Sequence, residues 1–192
     1  MDPPNTQQAW KLILRVWLLN VIFVPLIFTI ALLGLGSGAT ETANYSQIYY
    51  PFFLPWSELG FFFIEYAIQP ALNEEFLFRF PIIALIWIAN SLGYHPKKSS
   101  FSWVLIVILA VVLNALWAYG HISYPAFMDD QPIVYKYYFI FPPVFFAGLS
   151  WLWLTFKIRP SWPWPSIVAH TLANTSIYVF IKIAVMLGYK FF

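Results

Sequence analysis

The chain has 192 residues, of which 61% are hydrophobic, 22% aromatic and only 9% charged, with a formal net charge of +2. Ordinary soluble domains carry roughly a quarter charged residues, so this composition excludes a soluble globular protein and marks one integral membrane domain, residues 1–192. The small positive balance gives no footing for nucleic acid, and the absence of cysteine excludes disulfides, cysteine-ligated zinc and a thiol nucleophile.

A membrane-spanning helix needs about 20 apolar residues. In the first candidate, Lys11–Leu35, two basic residues, Lys11 and Arg15, precede the apolar run Val16 to Leu33 as in a signal peptide. It is too long for such a leader and more apolar runs follow, so a retained helix is expected. A polar loop, Gly36–Ser46, leads to a second span, Tyr50–Pro70. Glu58 and Glu65 share a face there, either extending a polar cavity or meeting water and headgroups. Only Gln69-Pro-Ala-Leu-Asn73 separates this span from a third, Glu74–Leu92. The proline breaks or kinks the hydrogen-bond ladder, and Asn73 is predicted to cap the next helix. Beyond the turn Gly93–Ser100 comes Phe101–Tyr119, then the loop Tyr124–Pro132 and a fifth span, Ile133–Phe156. The proline-rich turn Arg159-Pro-Ser-Trp-Pro-Trp-Pro165 introduces the last, Pro163–Leu187, in which Lys182 is expected to snorkel to the interface. Trp151, Trp153, Trp162 and Trp164 fit interfacial belts.

The expected fold is therefore an all-α bundle of about six transmembrane helices, because only helices or closed barrels satisfy backbone groups in lipid and these runs lack the alternation of barrel strands. Lysine and arginine divide evenly between the two sides of such a bundle, so charge assigns no orientation. A multi-pass protein of the plasma membrane is the expected setting.

Against this apolar background Glu74, Glu75 and Arg79 stand out, in the run Asn73-Glu-Glu-Phe-Leu-Phe-Arg79. Ionised groups at membrane depth are costly unless paired or hydrated, and they mark functional sites by default. Glu75 and Arg79 are i,i+4 on one helix and can pair along its surface. Glu74 points about 100° away, free to face a partner helix as a general base. The same run also fits a helix start at the interface, with the acids complementing the dipole and Arg79 snorkelling. His170 and Asn174 repeat the i,i+4 spacing in the last helix, where two donors can meet one oxyanion or simply tie helices together. His121 closes the fourth helix in this reading, with Asn114 two turns earlier on the same face as a supporting partner.

The order of these segments, Glu-Glu-Phe-Leu-Phe-Arg79, Trp117-Ala-Tyr-Gly-His121 and Ser166-Ile-Val-Ala-His170-Thr-Leu-Ala-Asn174, closely resembles the CAAX protease and bacteriocin-processing (CPBP, or Abi) family of glutamic-type intramembrane endopeptidases. Phe145-Phe-Ala-Gly148 through His170 is similar to that family's glycine-bearing helix, short turn and final helix. The resemblance covers roughly residues 57–185. It implies that Glu74 and His121 activate a water, that His170 and Asn174 stabilise the tetrahedral oxyanion, and that Glu75 and Arg79 brace the site. Two positions depart from the family pattern. Trp117 stands where phenylalanine is usual, and Phe80 where glycine follows the motif arginine, a bulk that could narrow the cavity or alter helix packing.

The function expected on this footing is hydrolysis of a peptide bond in a membrane-associated peptide or protein, within the bilayer and without a cofactor. Zinc held by two histidines and a glutamate is the alternative, although the tight His-x-x-x-His spacing usual for it is missing. Two other classes fit the inventory: an ion- or proton-relaying transporter, and a catalytically silent binding or immunity protein. A protease needs its polar groups in one compact site, whereas a relay strings them across the bilayer.

Overall fold

The computed structural model of the protein describes residues 6–35, 56–95, 100–128, 140–158 and 164–187. Among these the chain is helical throughout, with no strand. Its helices are α1 (Thr6–Leu35), α2 (Gln69–Phe78), α3 (Phe80–Ser91), α4 (Ser100–Met128), α5 (Phe141–Ile158) and α6 (Trp164–Met186). Three stretches, Thr6–Ile27, Phe101–Ile122 and Phe141–Ile158, are long and apolar enough to cross a membrane. The loops Gly36–Ser46 and residues 129–132 of the predicted fourth loop lie outside the described residues, as does most of the turn before α6.

α1 shows how lipid and protein divide one helix. Ala9, Ile13, Val16 and Asn20 are buried, while Leu14, Leu18, Ile22, Leu26 and Ile30, each four residues apart, are exposed. Exposure costs such residues nothing in lipid, so helix association must come from close packing and interhelical hydrogen bonds. Both are present. Alanines Ala9, Ala118, Ala147, Ala169 and Ala173 bring α1, α4, α5 and α6 together in the main core. The Trp17 indole donates to Ser176 Oγ of α6 at 2.8 Å, and Asn20 Nδ2 donates to Ser150 Oγ of α5 at 2.8 Å. Interhelical bonds of this kind contribute about 0.6 kcal/mol each on average. A second core joins Ile82 and Ile86 of α3 to Ile106 and Ala110 of α4 and Leu152 of α5.

The region around the glutamates is built differently from the expectation. A 3₁₀ turn, Trp56–Glu58, and a single α-turn, Leu59–Phe62, pass into a π-helical segment, Phe63–Ile68, before α2 begins. Pro70 sits in the first turn of α2, where its missing N–H is least harmful, and the wider π turn ahead of it leaves room for the ring. Asn73 is consequently no cap: it lies inside α2, a turn past Gln69, and no side chain caps that helix. The real break comes later. Pro81 occupies the first turn of α3 and has no N–H for the carbonyl of Leu77, so α2 ends at Arg79, whose N–H bonds Glu75 O at 3.0 Å. Arg79 thus sits on a one-residue joint between two helices. After α3, Gly93 closes the helix with φ +78°, a conformation that favours glycine.

Two further expectations change. α4 runs to Met128, two turns beyond His121, so this histidine is set within a helix and not at its end. Lys182 does not snorkel: it is 7% exposed, with its ammonium 5.7 Å from the ring centre of Tyr178. The reason is its register. Ser166, His170, Asn174, Tyr178 and Lys182 recur at every fourth residue of α6 and form a polar column that winds around the helix by about 40° per step. Along that column α6 meets the π segment, where Tyr178 packs on Ala67, and α2, where His170 meets Glu75.

Candidate active site

Four helices contribute to one polar cluster. α2 brings Glu74, Glu75 and the joint residue Arg79; α4 brings Asn114, Trp117 and His121; α5 brings Gly148 and Trp151; α6 brings Ser166 and His170. The two adjacent glutamates are treated in opposite ways. Glu75 is completely buried, and its Oε1 is ion-paired with Arg79 Nη1 at 3.2 Å and accepts from His170 Nδ1 at 3.1 Å. The hydroxyl of buried Ser166 is directed at the same carboxylate. Glu74, one residue earlier and turned toward α4 and α6, keeps a quarter of its side chain exposed. Its Oε2 accepts the Trp117 indole N–H at 2.6 Å and lies 3.7 Å from His170 Nε2. One carboxylate is fully enclosed, and the other keeps part of its surface exposed.

These bonds set the histidine tautomers, because a carbonyl can only accept. His121 Nδ1 lies 3.0 Å from Trp117 O, so Nδ1 carries the proton and the ring's Nε2 is the acceptor of the neutral form. His170 gives its Nδ1–H to Glu75 and presents Nε2 to Glu74. The His170 ring is clamped by Trp151, stacked at 3.8 Å between centroids and 19° between planes.

Arg79 anchors the other side. It is 1% exposed, and Nη2 donates to Asn114 Oδ1 at 3.1 Å, while Asn114 Nδ2 donates to the Phe145 carbonyl at 3.0 Å. That second bond fixes which way the Asn114 amide faces. The guanidinium also lies 4.3 Å above the Trp117 ring and 5.8 Å from that of Trp151, a cation–π contact on each. Asn174, half-buried and one turn beyond His170, makes no side-chain hydrogen bond to another described residue. Phe80 does not narrow the cluster: it is exposed and its ring packs 5.4 Å from that of Phe76, itself exposed.

The family model for type II CAAX prenyl endopeptidase Rce1-like proteins covers residues 55–176, well over half of the chain. The chain belongs to that family. It is therefore an integral membrane protein of the CAAX-endopeptidase type. No curated protein and no solved structure matches it. The Rce1-like match takes in α2 to α5 and the first half of α6, and leaves α1 outside.

Sequence reasoning passed over two residues of this Rce1-like cluster. Trp151, assigned above to an interfacial belt, is 3% exposed and lies flat on His170. Its spacing from Gly148, three residues along one face of α5, was the available signal. Trp117 was read as an aromatic exchange, yet its indole nitrogen makes a hydrogen bond that phenylalanine cannot. Gly148 has its own reason: a Cβ there would fall 2.0 Å from Asn114 Oδ1, 2.6 Å from Trp117 Cζ3 and 2.7 Å from Arg79 Nη2. All three neighbours are pinned by the bonds just described and none can swing aside alone. Gly148→Ala is expected to destabilise the Rce1-like fold by about 1–3 kcal/mol, the usual cost of overpacking. Thermal unfolding in detergent measures this, and a midpoint equal to the parent's would show that the network can give way. Among the described residues no three His, Cys, Asp or Glu side chains converge to hold a metal ion.

Proposed function

We propose that this chain is a glutamic-type intramembrane endopeptidase that hydrolyses a peptide bond in a membrane-associated peptide or protein. The observation that carries the reading is the division between the two glutamates. Glu75 is consumed by Arg79 and His170, while Glu74 is partly open and faces the same histidine from the other side. A carboxylate held at a polar, reachable point within an apolar bundle is suited to general-base work.

In the proposed reaction Glu74, assisted by His121, takes a proton from water as the water oxygen attacks the scissile carbonyl carbon. The carbonyl oxygen becomes the oxyanion, which accepts hydrogen bonds from the Asn174 amide and from His170 Nε2 in its protonated form. Collapse of the tetrahedral intermediate breaks the C–N bond, and the proton held by the base passes to the leaving amine. Glu75, Arg79 and Asn114 take no proton; they hold α2 and α6 at the distance the chemistry needs.

Compactness supports this reading over an ion relay. Glu74, Glu75, Arg79, Trp117 and His170 are linked by direct contacts of 4.3 Å or less, and His121 joins through Trp117, whereas a relay across a bilayer would be drawn out along its normal. Prenylated CAAX peptides are the substrate class to try first, as the family's description suggests.

The deciding experiment is cleavage of a peptide panel, prenylated and unmodified, by purified protein in detergent or liposomes, comparing the parent with Glu74→Gln, with and without chelator. Cleavage that is lost in Glu74→Gln and indifferent to chelator is the expected result. Cleavage abolished by chelator and restored by zinc would replace the glutamic mechanism with a metal-assisted one.

A further inference from the structure

We infer that Trp117 is a positioning residue whose indole N–H orients the Glu74 carboxylate for attack, a task the phenylalanine usual at this place cannot perform. The inference rests on Glu74 acting as the base proposed above.

Glu74 has three rotatable side-chain bonds and a partly open setting, so something must select its orientation. His170 Nε2, at 3.7 Å, is too far for a hydrogen bond. The Trp117 Nε1–H, at 2.6 Å, is the short contact, and an indole nitrogen can only donate. The donor itself has little freedom. Trp117 is 3% exposed, and one face of its ring carries the Arg79 guanidinium at 4.3 Å. It makes T-shaped contacts with the rings of His121, Trp151 and His170 at centroid distances of 4.7, 5.6 and 5.9 Å, and its Cζ3 end lies against Gly148. An indole wedged on all these sides holds its N–H in one direction and so selects one orientation of Glu74 Oε2.

The same residue also serves the second group proposed to activate water. The Trp117 backbone carbonyl accepts a hydrogen bond from His121 Nδ1–H at 3.0 Å and so leaves Nε2 as the acceptor. The side chain of one residue therefore sets the carboxylate, and its main chain sets the imidazole. Only the first depends on residue identity, which makes the claim separable by mutation.

Trp117→Phe keeps an aromatic ring and deletes the donor. It is expected to lower kcat roughly 10- to 100-fold, the scale of a misplaced catalytic group, with KM near the parent value. Trp117→His, which can donate from a ring nitrogen, should recover part of that loss. The hydrogen bond can be read without any cleavage. In ¹⁵N-tryptophan-labelled protein, the indole resonance missing from Trp117→Phe should be the one, among the ten tryptophans, that moves most in Glu74→Ala. An indole resonance indifferent to Glu74→Ala overturns the inference whether or not the protein cuts peptides. So does an unchanged kcat in Trp117→Phe, or a fall in kcat matched by a fall in thermal midpoint, since that marks packing alone. If no peptide is cut by the parent, the protease reading fails, while the resonance still decides whether the indole holds Glu74.

Discussion

Glu74→Gln should abolish peptide cleavage and leave the bundle as stable as the parent, whereas Glu75→Gln should lower stability first. The two carboxylates are neighbours in sequence and almost opposite in surroundings. Glutamine at 74 is isosteric and retains an oxygen that can accept the Trp117 indole proton, so packing is preserved. What disappears is a basic oxygen, and loss of a general base costs about 10²–10⁴-fold in rate. Glutamine at 75 leaves the Arg79 charge buried with its ion-pair partner neutralised, and breaking a buried pair from one side costs about 3–5 kcal/mol. Initial rates and thermal unfolding of both variants in the same detergent separate the two effects. If Glu74→Gln unfolds with Glu75→Gln, the division of labour is wrong, and if it folds and still cleaves, the base is another group.

Arg79→Ala should be the most damaging substitution in the protein. The guanidinium is 1% exposed, pairs with Glu75 at 3.2 Å, donates to Asn114 at 3.1 Å and lies 4.3 Å above Trp117. Alanine strands a buried carboxylate and an amide oxygen and opens a cavity between two indoles. The stranded charge alone costs about 3–5 kcal/mol, a large share of a typical protein's stability. Low yield, a strongly reduced thermal midpoint and no cleavage are the expected outcome. Arg79→Lys should recover little, because one ammonium cannot span the carboxylate and the amide while lying flat on an indole. A lysine variant as stable as the parent would show that charge alone holds the joint.

Much of this was legible from the residues. The Glu75–Arg79 pair follows from i,i+4 spacing on any helix. Local punctuation was legible only in part. Pro70 and Asn73 looked like a helix end, but a π segment absorbed the first and left the second inside a helix. Pro81 made the actual break, at Arg79 itself. A tryptophan in a membrane helix offers the same letter to an interface and to a core, so the stacking of Trp151 on His170 belongs to the tertiary arrangement and not to α5. Lys182 departs from the expectation because hydropathy averages over a helix, while the polar positions from Ser166 to Lys182 follow a buried stripe that winds around it.

The placement of α1 bears on how the molecule is made. This helix emerges from the ribosome before α5 and α6, yet its main contacts are with them, through Asn20 to Ser150 and Trp17 to Ser176. Glu75 and Arg79 are likewise synthesised long before His170. A nascent chain halted before residue 164 therefore holds an α1 without one of its two mates and a carboxylate pair without its imidazole. The core shared with α6 and the polar cluster are completed only when α6 is released, so a chain halted earlier lacks the His170 side of the proposed site.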